Sequence, residues 1–198
     1  FNDKRSHLPV RAGSNLVDSS DHSSRGLLLR SLYETTTRLE GTDPFDSFLN
    51  VSILDYMQAH HPRVMFIGYG DTDSWAHTGR YDLVLETAHS FDSYVAALWQ
   101  RMQSMPEYKD QTTFIISADH GRGHGPEEWK EHGVDQKGSE NIWIAVIGPD
   151  TPPLGERHNV ARVTQSQIAA TIAALLGEDY GAAVPKAAKP LLDVLTSH

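Results

Sequence analysis

The chain has 198 residues, 39% of them apolar and 22% charged, which is enough to bury a core of ordinary size. It carries 26 acidic against 17 basic residues, and the resulting net charge of −9 argues against nucleic acid or an anionic membrane surface as a partner. With no cysteine, disulfides and thiolate metal sites are ruled out, and no apolar run approaches the roughly 18 residues needed to span a bilayer.

Residues 1–25 are polar, rich in Ser, Asp and Gly, and read as an N-terminal arm or loop. Residues 26–198 read as one α/β unit. A helix is expected over 26–39. The next should start with Asp43 as N-cap and Pro44 at the first helical position. Phe45, Phe48, Leu49, Ser52, Ile53, Tyr56 and Met57 then follow at the spacing of one helical face, and His60-His61-Pro62 ends it. Val64 to Tyr69 is nearly all apolar and, lying between helices, reads as a buried parallel strand. A helix starting near Asp82 places Val84, Ala88, Phe91, Val95, Leu98 and Met102 on one stripe, and Pro106 closes it. Thr113 to Ala118 is a second buried strand, so 64–118 forms an expected βαβ unit. A polar, glycine-rich loop covers 121–140, and Ile142 to Ile147 is a third strand. After a turn-rich connection, a last helix spans about 164–176, with Gly177 just past its end. The expected fold is a mainly parallel sheet sandwiched by helices.

In an open parallel sheet, ligands bind outside the carboxyl ends of the strands. The first strand runs into Gly70-Asp71-Thr72-Asp73-Ser74-Trp75-Ala76-His77-Thr78-Gly79, and the second into Asp119-His120-Gly121. Asp73 and His77, four apart, can face one ion, although a capping Asp beside a solvated His has the same spacing. Asp119-His120 directly after a buried strand is a stronger signal. His132 lies in the glycine-rich loop. Taken together, two carboxylates and three imidazoles without soft ligands suit two divalent cations, Zn²⁺ or Mn²⁺. Such ions would give a small anionic substrate a local positive centre in an acidic chain. Arg122 is a weaker candidate, for a substrate oxyanion. Asp71 is a candidate to orient a ligand histidine, and His124 is an alternative ligand to His132.

Asp73-Ser74-Trp75-Ala76-His77-Thr78-Gly79 resembles the D-x-x-x-H-T-G segment of cofactor-independent phosphoglycerate mutases and their relatives. Ser117-Ala118-Asp119-His120-Gly121 resembles the (S/T)-A-D-H-G segment of the same alkaline phosphatase superfamily, and His132-Gly133 its third histidine. The resemblance covers roughly residues 60–180. It implies that Asp73, His77 and His132 hold one metal, while Asp119 and His120 contribute to the second. The implied activity is hydrolysis of phosphate esters, or of related sulfate or phosphonate esters, by two-metal in-line displacement. A phosphomutase using the same ions and a metal-binding remnant without turnover are the alternatives. In the superfamily, an Asp and a Ser, Thr or formylglycine nucleophile lie well before the D-x-x-x-H segment. Here no strand followed by such a pair is seen before Asp73, and Asn15 to Ser20 is the nearest imitation. The chain also starts at Phe1 rather than at Met. The expectation is therefore the C-terminal part of a longer catalytic domain, with the nucleophile and any export signal upstream.

Overall fold

A computed structural model describes residues 21–37 and 45–195 of the chain, which divides into two units, Phe1–Arg101 and Met102–His198. In the first unit, α1 (Ser24–Thr35) starts where the Ser23 hydroxyl accepts the Gly26 amide at 3.0 Å. Helix α2 (Asp46–His60) follows and ends at His61, which turns the chain into the left-handed region at φ 46°. The Asp43–Pro44 start expected for α2 and most of the N-terminal arm lie outside the described residues. The two helices are joined by Arg25, whose Nε donates to Asp55 at 2.9 Å, and by Tyr33 set edge-on to Phe48. Tyr33, Ile53 and Met57 are buried.

Residues 64–69 correct the first expected strand. The segment alternates as a strand would, with Met65, Ile67 and Tyr69 half-buried, but no ladder pairs it among the described residues. A strand buried on both faces needs neighbours and cover, and here Val64 and Phe66 are 53% and 75% exposed. The extended run leads into α3 (Asp71–His77), a seven-residue helix where the sequence reading has only a loop. Helix α4 (Tyr81–Ser104) has the expected stripe, with Leu98 and Met102 buried, although Ala88 is exposed.

The second unit holds β1 (Phe114–Ser117) and β2 (Ile144–Ile147), paired antiparallel with Phe114 opposite Ile147 and Ser117 opposite Ile144. The described residues form one two-stranded antiparallel sheet, and the parallel pairing expected over 64–118 is not among its ladders. Antiparallel neighbours need no crossover helix. The connection over 118–143 contains only a 3₁₀ turn at Glu128–Lys130, so it returns directly to its neighbour. After a 3₁₀ turn capped reciprocally by Thr164 and Gln167, α5 (Ile168–Leu175) ends as expected near Gly177, at φ 78°. Buried Thr171 ties α5 to the tail, because its hydroxyl accepts the Leu191 amide at 2.9 Å. A short α6 (Tyr180–Ala183) lies between. Among the described residues, no helix is long and apolar enough to cross a membrane.

Candidate metal centre

Helix α3 explains why the Asp73…His77-Thr78-Gly79 string has its spacing. One helical turn separates Asp73 from His77, which puts both on one face. The helix then has to stop. Gly79, at φ 74°, donates to Ala76 O at 2.9 Å, and Arg80 donates to Trp75 O at 3.1 Å, the paired bonds of a Schellman end. The Thr78 hydroxyl adds a bond to the same Trp75 carbonyl at 2.8 Å. Asp73 Oδ2 and His77 Nε2 are left 3.5 Å apart. Two donors bound to one tetrahedral Zn²⁺ at about 2.0–2.1 Å stand about 3.3–3.4 Å from each other. The pair therefore fits an ion between its atoms, and both side chains are about 40% exposed, open to an incoming cation.

The other end of α3 is held from α2. Asp46 is 6% exposed, and its two carboxylate oxygens accept the amides of Gly70 at 2.8 Å and Asp71 at 3.1 Å. Asp71 Oδ2 accepts the Asp46 amide in return at 3.1 Å. Burial raises the Asp46 carboxyl above the usual carboxylate range, and the two amides pull it back down. Asp71 is pushed up to about 6, first by burial and then by the charge of Asp46, while the Asp46 amide opposes the rise. Asp71 thus joins α3 to α2, whereas the sequence suggests a histidine-orienting role. Behind the clasp, the Tyr69 hydroxyl donates to buried Asn50 at 3.0 Å, and its ring packs on Phe91 and Tyr94. Asp46, Asn50 and Tyr69 are the residues sequence reasoning misses here. The contacts that matter join positions about 20 to 25 apart, and no local spacing signals them.

The second unit builds its donors on the loop that leaves β1. Asp119 Oδ2 and His120 Nε2 are 3.7 Å apart, and Asp119 Oδ1 accepts the His120 amide at 3.0 Å. His120 Nδ1 lies 3.0 Å from the Gly121 carbonyl. A carbonyl only accepts, so this bond puts the proton on Nδ1 and the lone pair on Nε2, the tautomer that a metal ligand needs. The His132 ring stacks on that of His120 with centroids 3.6 Å apart and planes 10° from parallel.

Ser139 sets this stack. Its carbonyl accepts the Gly121 amide at 2.8 Å, and its hydroxyl accepts the Gly133 amide at 3.0 Å. One residue therefore fastens the positions next to both histidines. Gly121 has no alternative, because a β-carbon there would fall 2.4 Å from Gly138 O and 2.5 Å from Asn141 O. Arg122 Nη1 donates to the Lys130 carbonyl at 2.7 Å, closing the loop across its 3₁₀ turn. His124, the alternative ligand, is exposed, with its Nε2 3.0 Å from where a β-carbon on Gly138 would sit.

Within its own unit, Asp73 lies beside His77, and Asp119 and His132 lie beside His120. The family model of the Metalloenzyme superfamily matches residues 48–180, a span that contains all five. No curated protein and no solved structure matches the chain. The match implies an α/β fold of the alkaline phosphatase type and points to metal-dependent catalysis with divalent ions. The chain belongs to the Metalloenzyme superfamily, itself part of the alkaline phosphatase superfamily.

Proposed function

We propose that the chain is the ion-holding part of a hydrolase of phosphate or related esters. The family resemblance assigns Asp73, His77 and His132 to one divalent ion, and Asp119 and His120 to a second. The observation that carries the reading is the parallel pair of imidazoles 3.6 Å apart. Ions of a two-metal site stand about 3.5–4 Å apart, so two parallel rings at this spacing suit one ion each. Zn²⁺ and Mn²⁺ fit the all-oxygen-and-imidazole donor set best.

Two bound ions would supply Lewis-acid charge to the oxygens of an ester undergoing displacement. The chain's own residues hold and orient. Asp73 and His77 present Oδ2 and Nε2 from one helix face. The Gly121 carbonyl keeps the His120 proton on Nδ1. Arg122, with one donor on Lys130, is the candidate contact to a substrate oxyanion. Together the ions would concentrate about four positive charges in one place on a chain of net charge −9, which selects a small anionic ester over a neutral one.

The test is binding of metal and then of phosphate. The whole chain should take up Zn²⁺ or Mn²⁺, and inorganic phosphate should bind to the loaded chain but not to the chelated one. Asp73→Ala and His132→Ala should each remove the same ion, so the double variant should lose no more than either single one. A loaded chain indifferent to phosphate sinks the ester reading. An unchanged metal content in His132→Ala removes that residue from the site.

A further inference from the structure

The donor pair on α3 is only as well placed as the helix that carries it, and α3 is short. Its seven residues leave most of its first-turn amides without intrahelical partners, and no side chain of its own N-cap, Gly70, serves them. Two of these amides, on Gly70 and Asp71, are taken by one carboxylate from another helix. That carboxylate belongs to Asp46, buried at the start of α2 and outside the span matched by the family. The return bond from the Asp46 amide to Asp71 locks the two helix starts together.

We infer that Asp46 is a positioning residue for the metal site, fixing the first turn of α3 so that Asp73 stays within ligand distance of His77. The two ends of α3 are held differently. The Schellman end at Thr78–Gly79 is local and needs nothing from outside. The other end depends on Asp46. Asp73 sits in the first turn, two residues from the Asp71 amide, whereas His77 sits in the last. Without the clasp the first turn frays, and Asp73 loses its place before His77 does. A negative charge at this helix start also matches the helix dipole. The inference rests on the reading of Asp73 and His77 as metal ligands.

Zinc titration of the whole chain tests it, alongside the unfolding midpoint of the metal-free protein. Substitution of groups that orient a ligand from behind typically weakens metal binding by roughly 10- to 100-fold. Asp46→Asn keeps one acceptor and is expected near the lower figure, and Asp46→Ala should exceed it. Tyr33→Ala, which unpacks α1 from α2, should lower the midpoint and leave zinc affinity unchanged. A Co²⁺-loaded Asp46→Asn chain should also show a changed ligand-field spectrum. If the unsubstituted chain binds no zinc, the metal reading itself falls. If it binds zinc, and Asp73→Ala abolishes this while Asp46→Asn and Asp46→Ala bind like the parent, only the role of Asp46 falls. Should both Asp46 variants fail to fold, amide exchange in the unsubstituted chain decides. Zinc should slow exchange at Gly70 and Asp71, and no slowing overturns the inference.

Discussion

The two halves of the donor set are built on opposite plans. In the first unit, Asp73 and His77 stand on one turn of a regular helix, spaced by the helix repeat and stopped by a glycine. In the second, Asp119, His120 and His132 stand on an irregular connection between two antiparallel strands, spaced by bonds from a single serine and by a crowded glycine. Helical spacing is local and tolerates change as long as the start of the helix is held. Loop placement is collective, because the positions next to both rings are tied to one residue, Ser139. The same chemistry, two donors at ion-binding distance, thus has different weak points in the two units.

Paired glycine substitutions give the sharpest contrast. Gly121→Ala has to push a β-carbon into two backbone carbonyls that cannot rotate away. It should cost about 3 kcal/mol, as overpacking does at its upper end. It should also weaken both ions, the one served through His120 and the one served through His132, as measured by chemical denaturation and metal content. Gly79→Ala meets a different obstacle, a positive φ of 74° at the helix stop. That costs about 1–1.5 kcal/mol and should leave the α3 metal affinity within a few fold. If Gly79→Ala proves the more damaging, the distinction between local and collective placement is wrong.

Ser139→Ala probes the collective half more gently. It removes the hydroxyl that accepts the Gly133 amide but keeps the carbonyl that holds Gly121. The expected loss is about 1 kcal/mol, one hydrogen bond. Metal affinity lost should be that of the ion served by His132, while the ion served by Asp119 and His120 stays. Equal loss of both ions would mean that the stack responds as one body to either tie.

The two halves also differ in how much of them the sequence discloses. The helix-borne motif is legible, because the four-residue step and the terminal glycine are local signals with a fixed geometric meaning. Even so, α3 itself reads as loop, since seven residues are too few to show a period. Long helices such as α4 are evident from their stripe. Strand direction is not evident: 64–69 and 114–117 have the same apolar run, yet one remains unpaired among the described residues and the other pairs antiparallel. An apolar run states that a segment wants cover, not which neighbour supplies it. Asp46 and Ser139 are illegible for a similar reason. They act through backbone amides of residues 6 to 25 positions away, and backbone amides have no letter in the sequence.

An effect of the same size at neutral pH, and the most selective, comes from Tyr69. Its hydroxyl donates to Asn50 and sits near Asp46, and burial together with that charge raises its ionisation well above the usual tyrosine value. The unfolded chain loses this proton near pH 10, while the folded chain keeps it. Above pH 10 the unfolded state therefore binds fewer protons, and stability falls as pH rises. The stabilisation is fully present below that pH and is lost progressively above it. Tyr69→Phe should cost about 1 kcal/mol at pH 7 through the lost bond and the stranded Asn50 acceptor. It should also flatten the alkaline decline. Amide exchange followed from pH 9 to 11 should show the first unit opening around α2 and α3 before the β1–β2 connection of the second. That order would follow from the Tyr69–Asn50 bond behind the helix-borne pair. If the 118–143 loop opens first and Tyr69→Phe keeps the parent's alkaline slope, that support does not set the stability of the helical half.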